Sequence, residues 1–95
     1  MYSKKEKITT LNSSGGTYNV TKKGKIIFNF IGEQGVLSNY LLKLNTDITI
    51  GTRGIAAPSE RHIWSTEILV QQGDIIKVEA CENPYEINNY FVPYE

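Results

Sequence analysis

Residues 17–31 read TYNVTKKGKIIFNFI, and this stretch decides the fold class. Apolar and polar residues alternate before the Lys-Lys-Gly segment, and after it Phe28 and Phe30 hold one apolar phase. An apolar period of two is typical of β-strands. A three-residue loop that ends in glycine is a common hairpin connection, so we predict a hairpin between 17–21 and 25–31.

The same alternation continues along the rest of the chain. Turn residues interrupt it about every 8–12 positions, the spacing expected of a sandwich or barrel, and no segment has helical periodicity. We predict an all-β fold: a single antiparallel β-sandwich, jelly-roll-like, with about eight short strands and no substantial helix. Strands are expected at 5–11, 17–21, 25–31, 36–44, 48–50, 61–71, 74–80 and 86–92, with 51–60 as the longest loop.

Length and composition favour one folded domain. The chain has 95 residues, of which 40% are hydrophobic, so a single core over 1–95 is expected, with residues 1–4 flexible. Cys81 is the only cysteine, which excludes an intrachain disulfide and favours folding inside the cell. We expect neither a signal peptide nor a transmembrane helix, because the apolar runs are only a few residues long.

Charge is balanced overall and divided along the chain. Ten Lys and Arg residues match ten Asp and Glu residues, which argues against a nucleic-acid partner and against a polybasic membrane anchor. Residues 1–45 hold seven basic and two acidic groups, a net of +5, whereas residues 46–95 hold three and eight, a net of −5. Either the two halves pair on the folded surface, or they attract neighbouring subunits head to tail.

The apolar phase of each strand predicts which side chains are buried. The expected core consists of Phe28, Phe30, Leu42, Trp64, Ile68 and Val78. Six large apolar residues take the opposite phase, namely Ile27, Ile31, Leu41, Ile63, Leu69 and Ile75. They are either ordinary scattered surface residues or one sheet face that packs on a neighbouring copy, for which a homotrimer is expected.

No set of residues indicates catalysis. His62 is the only histidine, and no nucleophile-elbow motif accompanies it or Cys81. Glu60 and His62 supply too few ligands for zinc, and Gly15-Gly16 is too short for a phosphate loop. We therefore predict no catalytic, metal or cofactor-binding residue and no cofactor.

Aromatic residues are concentrated near the end of the chain, close to two asparagines. Such a cluster suits a protein interface or a sugar platform, or it packs partly into the core and leaves tyrosines at the rim. The candidate partner-contact surface combines this cluster with four outward apolar residues. Its members are Tyr85, Tyr90, Phe91, Tyr94, Ile27, Ile63, Leu69 and Ile75.

Two segments resemble a known group of proteins. Residues 16–28 are similar to the opening hairpin, and residues 65–78 to the closing hairpin, of small β-sandwich modules in tailed bacteriophages. These include shoulder-type modules of siphophage receptor-binding proteins and jelly-roll head-fibre modules. The resemblance implies a non-enzymatic virion component, often trimeric, at a tail tip or capsid surface. Its partners would be other virion proteins, and it would be made in the bacterial host cytoplasm.

Three functions follow from the sequence. The first is a phage virion structural protein that acts through protein contacts. The alternative is a carbohydrate-binding module that uses Trp64 or the tyrosines, which a row of exposed aromatic residues along a strand would favour, although no residue pattern supports a host-surface sugar. An enzyme is third, because no catalytic constellation is present.

Overall fold

A computed structural model describes residues 1–12, 14–55 and 58–95. They form eight β-strands, and within these ranges there is no helix. In chain order the strands are β1 (Glu6–Lys7), β2 (Gly16–Asn19), β3 (Gly24–Gly32), β4 (Ser38–Leu44), β5 (Ile48–Ile55), β6 (His62–Val70), β7 (Ile75–Glu82) and β8 (Pro84–Pro93). In the described part of the chain, no helix is long and apolar enough to cross a membrane.

The strands form two antiparallel sheets that pack as a sandwich. Sheet I has the order β1-β8-β3-β6, and sheet II has the order β2-β7-β4-β5. This order is that of a jelly roll, in which consecutive strands cross from one sheet to the other, except for β4 and β5, which pair as a hairpin in sheet II. The predicted all-β, jelly-roll-like sandwich is therefore confirmed.

The predicted opening hairpin is wrong. β2 pairs with β7 in sheet II, whereas β3 lies between β6 and β8 in sheet I. The Lys-Lys-Gly segment therefore carries the chain between sheets, and the Val20 amide donates to the Asp74 carbonyl instead of across a hairpin. The predicted hairpin between 61–71 and 74–80 is wrong for the same reason, because β6 and β7 belong to different sheets.

The predicted long loop at 51–60 is also wrong in its first half. β5 continues to Ile55 and pairs with β4, with a register shift between Leu42 and Lys43 that accommodates an extra residue of β5. Two glycines of the predicted loop lie within β5 itself. Their presence had favoured a loop over a strand at these positions. Residues 56 and 57 of the predicted loop lie outside the described residues.

The core lies between the two sheets and is rich in aromatic rings. Phe28, Phe30, Leu42 and Val78 are buried as predicted. Tyr40 packs between the two phenylalanines, with ring centroids 5.0 Å from Phe28 and 5.1 Å from Phe30. The other two predicted core residues, Trp64 and Ile68, are only half-buried, because β6 is the edge of sheet I.

The six outward apolar residues do not form one face. Ile27, Ile31, Ile63 and Leu69 belong to sheet I, whereas Leu41 and Ile75 belong to sheet II. Polar contacts also interrupt the sheet I set, including the Lys25–Glu67 ion pair at 3.0 Å. These six residues therefore do not form a single apolar sheet face.

Ion pairs join the two oppositely charged halves of the chain. Lys25 lies 3.0 Å from Glu67, Lys43 lies 3.0 Å from Glu79, and Lys22 lies 3.7 Å from Glu95. Because the jelly roll interleaves early and late strands, basic and acidic segments become neighbours. Pairing within the folded surface therefore accounts for much of the charge division, at about 0–1 kcal/mol per exposed pair.

Candidate binding surface

The described residues form no pocket, and the outer faces of the two sheets are open. Enclosed sites for small molecules are usually concave, so an open sheet face fits an extended ligand or a macromolecule better. The aromatic residues near the end of the chain are the candidates for such a binding surface.

Side-chain alternation along β8 separates these aromatic residues. Tyr90 lies opposite Ile27 on the outer face of sheet I, whereas the next residue, Phe91, is only 2% exposed and contacts the core. Phe91 is therefore not part of a contact surface, contrary to the prediction. Tyr94 follows Tyr90 by four residues on the same side of the strand, about 13 Å further along.

The beginning of the chain adds a third tyrosine to this face. Tyr2 forms a β-bridge with Tyr94, and the Ser3 amide donates to the Pro93 carbonyl at 2.8 Å. The two rings meet edge to face, with centroids 5.2 Å apart and planes at 80°. Tyr2, Tyr94 and Tyr90 thus lie on the outer side of sheet I at its β1–β8 edge.

A lysine ammonium lies over each of these three rings. The Nζ atom of Lys5 is 4.3 Å from the Tyr90 ring centroid. Those of Lys23 and Lys25 are 4.8 Å from Tyr94 and 4.7 Å from Tyr2. We call the six residues the tyrosine–lysine surface: Tyr2, Tyr90, Tyr94, Lys5, Lys23 and Lys25.

The charge on this surface is only partly neutralised. Lys25 pairs with Glu67, but Lys5 and Lys23 have no carboxylate within 4.0 Å among the described residues. Lys7, directly opposite Tyr90 in the sheet, is exposed and adds a further positive charge. The surface is therefore basic although the whole chain is neutral.

Ordered polar groups lie on the outer face of sheet I near Tyr90, with Asn29 diagonal to it on β3 and Ser65 one strand further, on β6. Ser65 Oγ donates to Asn29 Oδ1 at 2.6 Å, and Asn29 Nδ2 donates to the backbone carbonyl of Asn88 at 3.1 Å. These bonds fix the Asn29 amide on the outer face. Asn89, by contrast, is buried and donates to the Leu11 carbonyl at 2.7 Å, so it holds the chain between β1 and β2 in place.

Tyr85 lies away from the tyrosine–lysine surface, at the other end of β8. The guanidinium carbon of Arg61 is 3.6 Å from its ring centroid, and Arg61 also forms an ion pair with Glu33 at 3.0 Å. The pKa of Glu33 is held below its usual value, first by the hydrogen bond from the Gln34 amide and then by Arg61. The predicted contact residues therefore divide into separate regions, and Ile75 lies on sheet II, apart from all the others.

His62 and Cys81 lie in different sheets. His62 stacks on Trp64, with centroids 6.1 Å apart and planes at 18°, and it belongs to sheet I. Cys81 lies in sheet II, where burial raises the pKa of its thiol to about 11, so it is protonated at neutral pH. Among the described residues no group of three His, Cys, Asp or Glu side chains could hold a metal ion.

The thiol of Cys81 gives a prediction about pH. Because burial raises its pKa from 9.0 to about 11, the unfolded chain loses this proton before the folded chain does. The Cys81 contribution to stability should therefore be constant below pH 9, fall as the pH rises from 9 to about 11, and then level off. Denaturant unfolding of the wild type and Cys81→Ala across this range measures it. Parallel pH profiles for the two proteins would contradict the prediction.

Comparison with solved structures identifies proteins with this fold. The chain resembles the CBM36-1 domain of a multidomain xylanase from the hindgut metagenome of Trinervitermes trinervoides, with a TM-score of 0.50 and 14% identity over 98% of this chain and 87% of that one. It also resembles a family 35 carbohydrate binding module from Clostridium thermocellum, with a TM-score of 0.45 and 11% identity over 97% and 88%. A third is the CBM35 from Cellvibrio japonicus Abf62, with a TM-score of 0.44 and 11% identity over 98% and 73%.

At these identities the likeness shows a shared fold and nothing finer, and only the first structure reaches a TM-score of 0.50. No family model matches the chain, and no curated protein does. The resemblance to phage modules therefore stays a prediction.

The predicted function of a bacteriophage virion structural protein is wrong. The solved structure that the chain resembles with a TM-score of 0.50 is a carbohydrate-binding module, not a phage protein. The alternative that the sequence left open is a carbohydrate-binding module. The aromatic residues on the outer face of β8 agree with that alternative, although Trp64 does not, because its ring stacks on Phe30 and His62.

Proposed function

We propose that this chain is a non-catalytic carbohydrate-binding module and that its tyrosine–lysine surface binds an acidic polysaccharide. The observation that carries the proposal is the lysine ammonium over each of the three tyrosine rings, at 4.3–4.8 Å. The tyrosine rings, the lysine ammonium groups and the Asn29 amide lie on the same open face of sheet I. The fold shared with the CBM36-1 domain supports the class of protein, and the surface supports the class of ligand.

The position of the lysines favours an acidic sugar over a neutral one. A neutral sugar that stacks on a tyrosine must displace the ammonium from the ring face. A carboxylate or sulfate group can instead pair with that ammonium, and charge-assisted hydrogen bonds are about twice as strong as neutral ones. An exposed cation–π contact is worth only about 0.5–1 kcal/mol, so a lysine can turn towards such a ligand at little cost.

The shape of the surface favours a chain over a single sugar. Tyr90 and Tyr94 are about 13 Å apart along β8, so both can contact one extended ligand. Asn29 lies diagonally across from Tyr90 on the neighbouring strand β3, and its amide can hydrogen-bond sugar hydroxyls. A ligand that contacts both rings would lie along the outer face of the sheet, parallel to β8.

Calorimetry with polygalacturonate, neutral xylan and a single-stranded DNA oligonucleotide tests the proposal. We expect binding to polygalacturonate that weakens as salt rises, since exposed charges are screened. Lys5→Gln and Lys23→Gln should each lower the affinity about tenfold, because a hydrogen bond to a charged group is worth about 1.5–3 kcal/mol. The matched control is Lys43→Gln, on the outer face of sheet II, which should bind like the wild type.

Each other outcome is informative. Equal binding to xylan, unaffected by the lysine substitutions, would overturn the acidic ligand. Binding to neither polysaccharide would overturn the proposed function. Tighter binding to the oligonucleotide than to polygalacturonate would point to a nucleic-acid partner instead, because stacked bases and phosphates can use the same rings and lysines.

A further inference from the structure

The two edges of sheet I are protected very differently. β1 covers one edge with only two residues, and lysines surround it. β6 forms the other edge with nine residues, and among the described residues it pairs with β3 alone. Its register with β3 runs without a bulge from His62 to Val70, and it contains neither proline nor lysine. Proteins normally shield a long, regular edge strand with a bulge, a proline or lysines, because the free backbone groups of the strand can pair with another chain.

Apolar side chains accompany this open edge on both of its faces. On the outer face, Ile63 is 70% exposed and Leu69 is 72% exposed. On the inner face, Trp64 and Ile68 remain half-buried, although both pack against the core. A further strand beside β6 would cover all four side chains and also satisfy the free backbone groups.

We propose that a second copy of this chain occupies this edge, with the two β6 strands antiparallel about a two-fold axis at Thr66. This register uses all nine residues of the strand, because His62 then lies opposite Val70. It places Ile63 opposite Leu69 on the outer face and Trp64 opposite Ile68 on the inner face. The result is a continuous eight-stranded sheet built from two copies of sheet I.

Neighbouring registers are less favourable. A two-fold axis at Ser65 places Ile63 opposite Glu67, so an apolar side chain faces a carboxylate. An axis at Glu67 places the two Glu67 carboxylates opposite each other, and like charges at opposite positions destabilise a strand pair. The axis at Thr66 instead places the polar Ser65 opposite Glu67, so that the carboxylate faces neither an apolar side chain nor a second carboxylate. The strand is therefore self-complementary in one register.

The pairing leaves the three tyrosines of the tyrosine–lysine surface free. They lie at the β1–β8 edge of sheet I, and of the three lysines only Lys25, on β3, reaches β6, through its ion pair with Glu67. A two-fold axis perpendicular to the sheet keeps the outer faces of both copies on the same side. A dimer would thus present two binding surfaces to one polysaccharide or to one cell surface.

Disulfide trapping tests the register. Thr66→Cys places two thiols at directly opposite positions, where Cβ atoms are about 4.5–5.5 Å apart, close to disulfide geometry. We expect most of this variant to become a disulfide-linked dimer under mild oxidation. Leu69→Cys is the control: it is more exposed, but its two copies would be about 20 Å apart along the strands. The wild type, oxidised in the same way, shows whether Cys81 alone forms disulfide-linked dimers.

Sedimentation at micromolar to millimolar concentration tests the dimer itself. We expect a species of twice the monomer mass of 10.7 kDa. Ile63→Lys should raise the dissociation constant of this dimer at least tenfold. Val36→Lys, an exposed apolar residue outside all strands, should leave it unchanged. A monomer at every concentration, cross-linking of Leu69→Cys as fast as that of Thr66→Cys, or the trimer expected from the sequence would each overturn the proposal. Polysaccharide binding by the Ile63→Lys monomer separates this result from the proposed function.

Discussion

Replacing Phe28 with alanine should lower the free energy of unfolding by about 3–5 kcal/mol. Phe28 is 0% exposed, and its ring centroid lies 5.0 Å from that of Tyr40 on the opposite sheet. It lies on β3, which has neighbours on both sides, with Asn89 opposite in β8 and Thr66 opposite in β6. Neither sheet can close over the missing ring without moving a paired strand, so most of the cavity should remain.

Urea unfolding followed by circular dichroism measures this loss. Val36→Ala is the control, because it removes an exposed apolar side chain that lies outside all strands, and it should change stability by no more than about 0.5 kcal/mol. The slope against urea should stay the same in both variants, so that the shift in midpoint reports stability alone. A loss under about 1 kcal/mol for Phe28→Ala would show that the core is not packed as described.

Replacing Gly24 with alanine should cost about 3 kcal/mol, the upper part of the usual range for overpacking. Gly24 is buried at the start of β3, between Val70 of β6 and Pro93 of β8. A Cβ atom there would meet the carbonyl oxygen of Val92 and lie 2.7 Å from the Phe91 ring. The oxygen belongs to a paired strand, so the added methyl group can be accommodated only by moving β8.

Gly51→Ala provides the comparison, since Gly51 also lies within a strand. A Cβ atom at this position would have its nearest contact at 3.5 Å, with the Tyr40 ring, which is an ordinary van der Waals distance. This substitution should be neutral, or it should stabilise by about 0.4–1 kcal/mol by restricting the unfolded chain. Thermal unfolding of both variants tests the pair. Equal stability for the two would contradict the close approach at Gly24.

Most of the strands were predictable from the sequence, but their partners were not. The first predicted strand, 5–11, is only Glu6–Lys7, and the strand predicted at 48–50 extends to Ile55. β3 has a strictly alternating burial pattern, and the residues of 25–31 predict that phase directly. Which strand lies beside β3 depends on the path of the whole chain. A turn such as Lys-Lys-Gly can close a hairpin or carry the chain to the other sheet, and its local chemistry is the same in both cases.

The position of a strand within its sheet limited the prediction of the core. Trp64 holds the inward phase of β6, as expected, but an edge strand has a neighbour on one side only. Its inward side chains are consequently half-buried. Alternation predicts the direction of a side chain, whereas burial also depends on strand order, which the sequence pattern does not contain.

Two of the six residues of the tyrosine–lysine surface could be predicted. Tyr90 and Tyr94 were candidates from the sequence, and the phase of β8 could have excluded Phe91, which lies between them on the opposite face. Tyr2 and the three lysines were missed, because they join the surface only when the first residues pair with the last strand. The division of charge along the chain was the one available signal, since it placed the basic groups in the first half.

The order of strands in sheet I also has a consequence for the kinetics of folding. β3 is central, yet its neighbours β6 and β8 both come from the second half of the chain, and β1 pairs only with β8. All-β domains dominated by such distant pairings typically fold in milliseconds to seconds. During synthesis, β3 would leave the ribosome well before either neighbour exists. A nascent chain that ends before β6 should therefore have no stable sheet I, and folding should begin only when nearly all of the domain has been made.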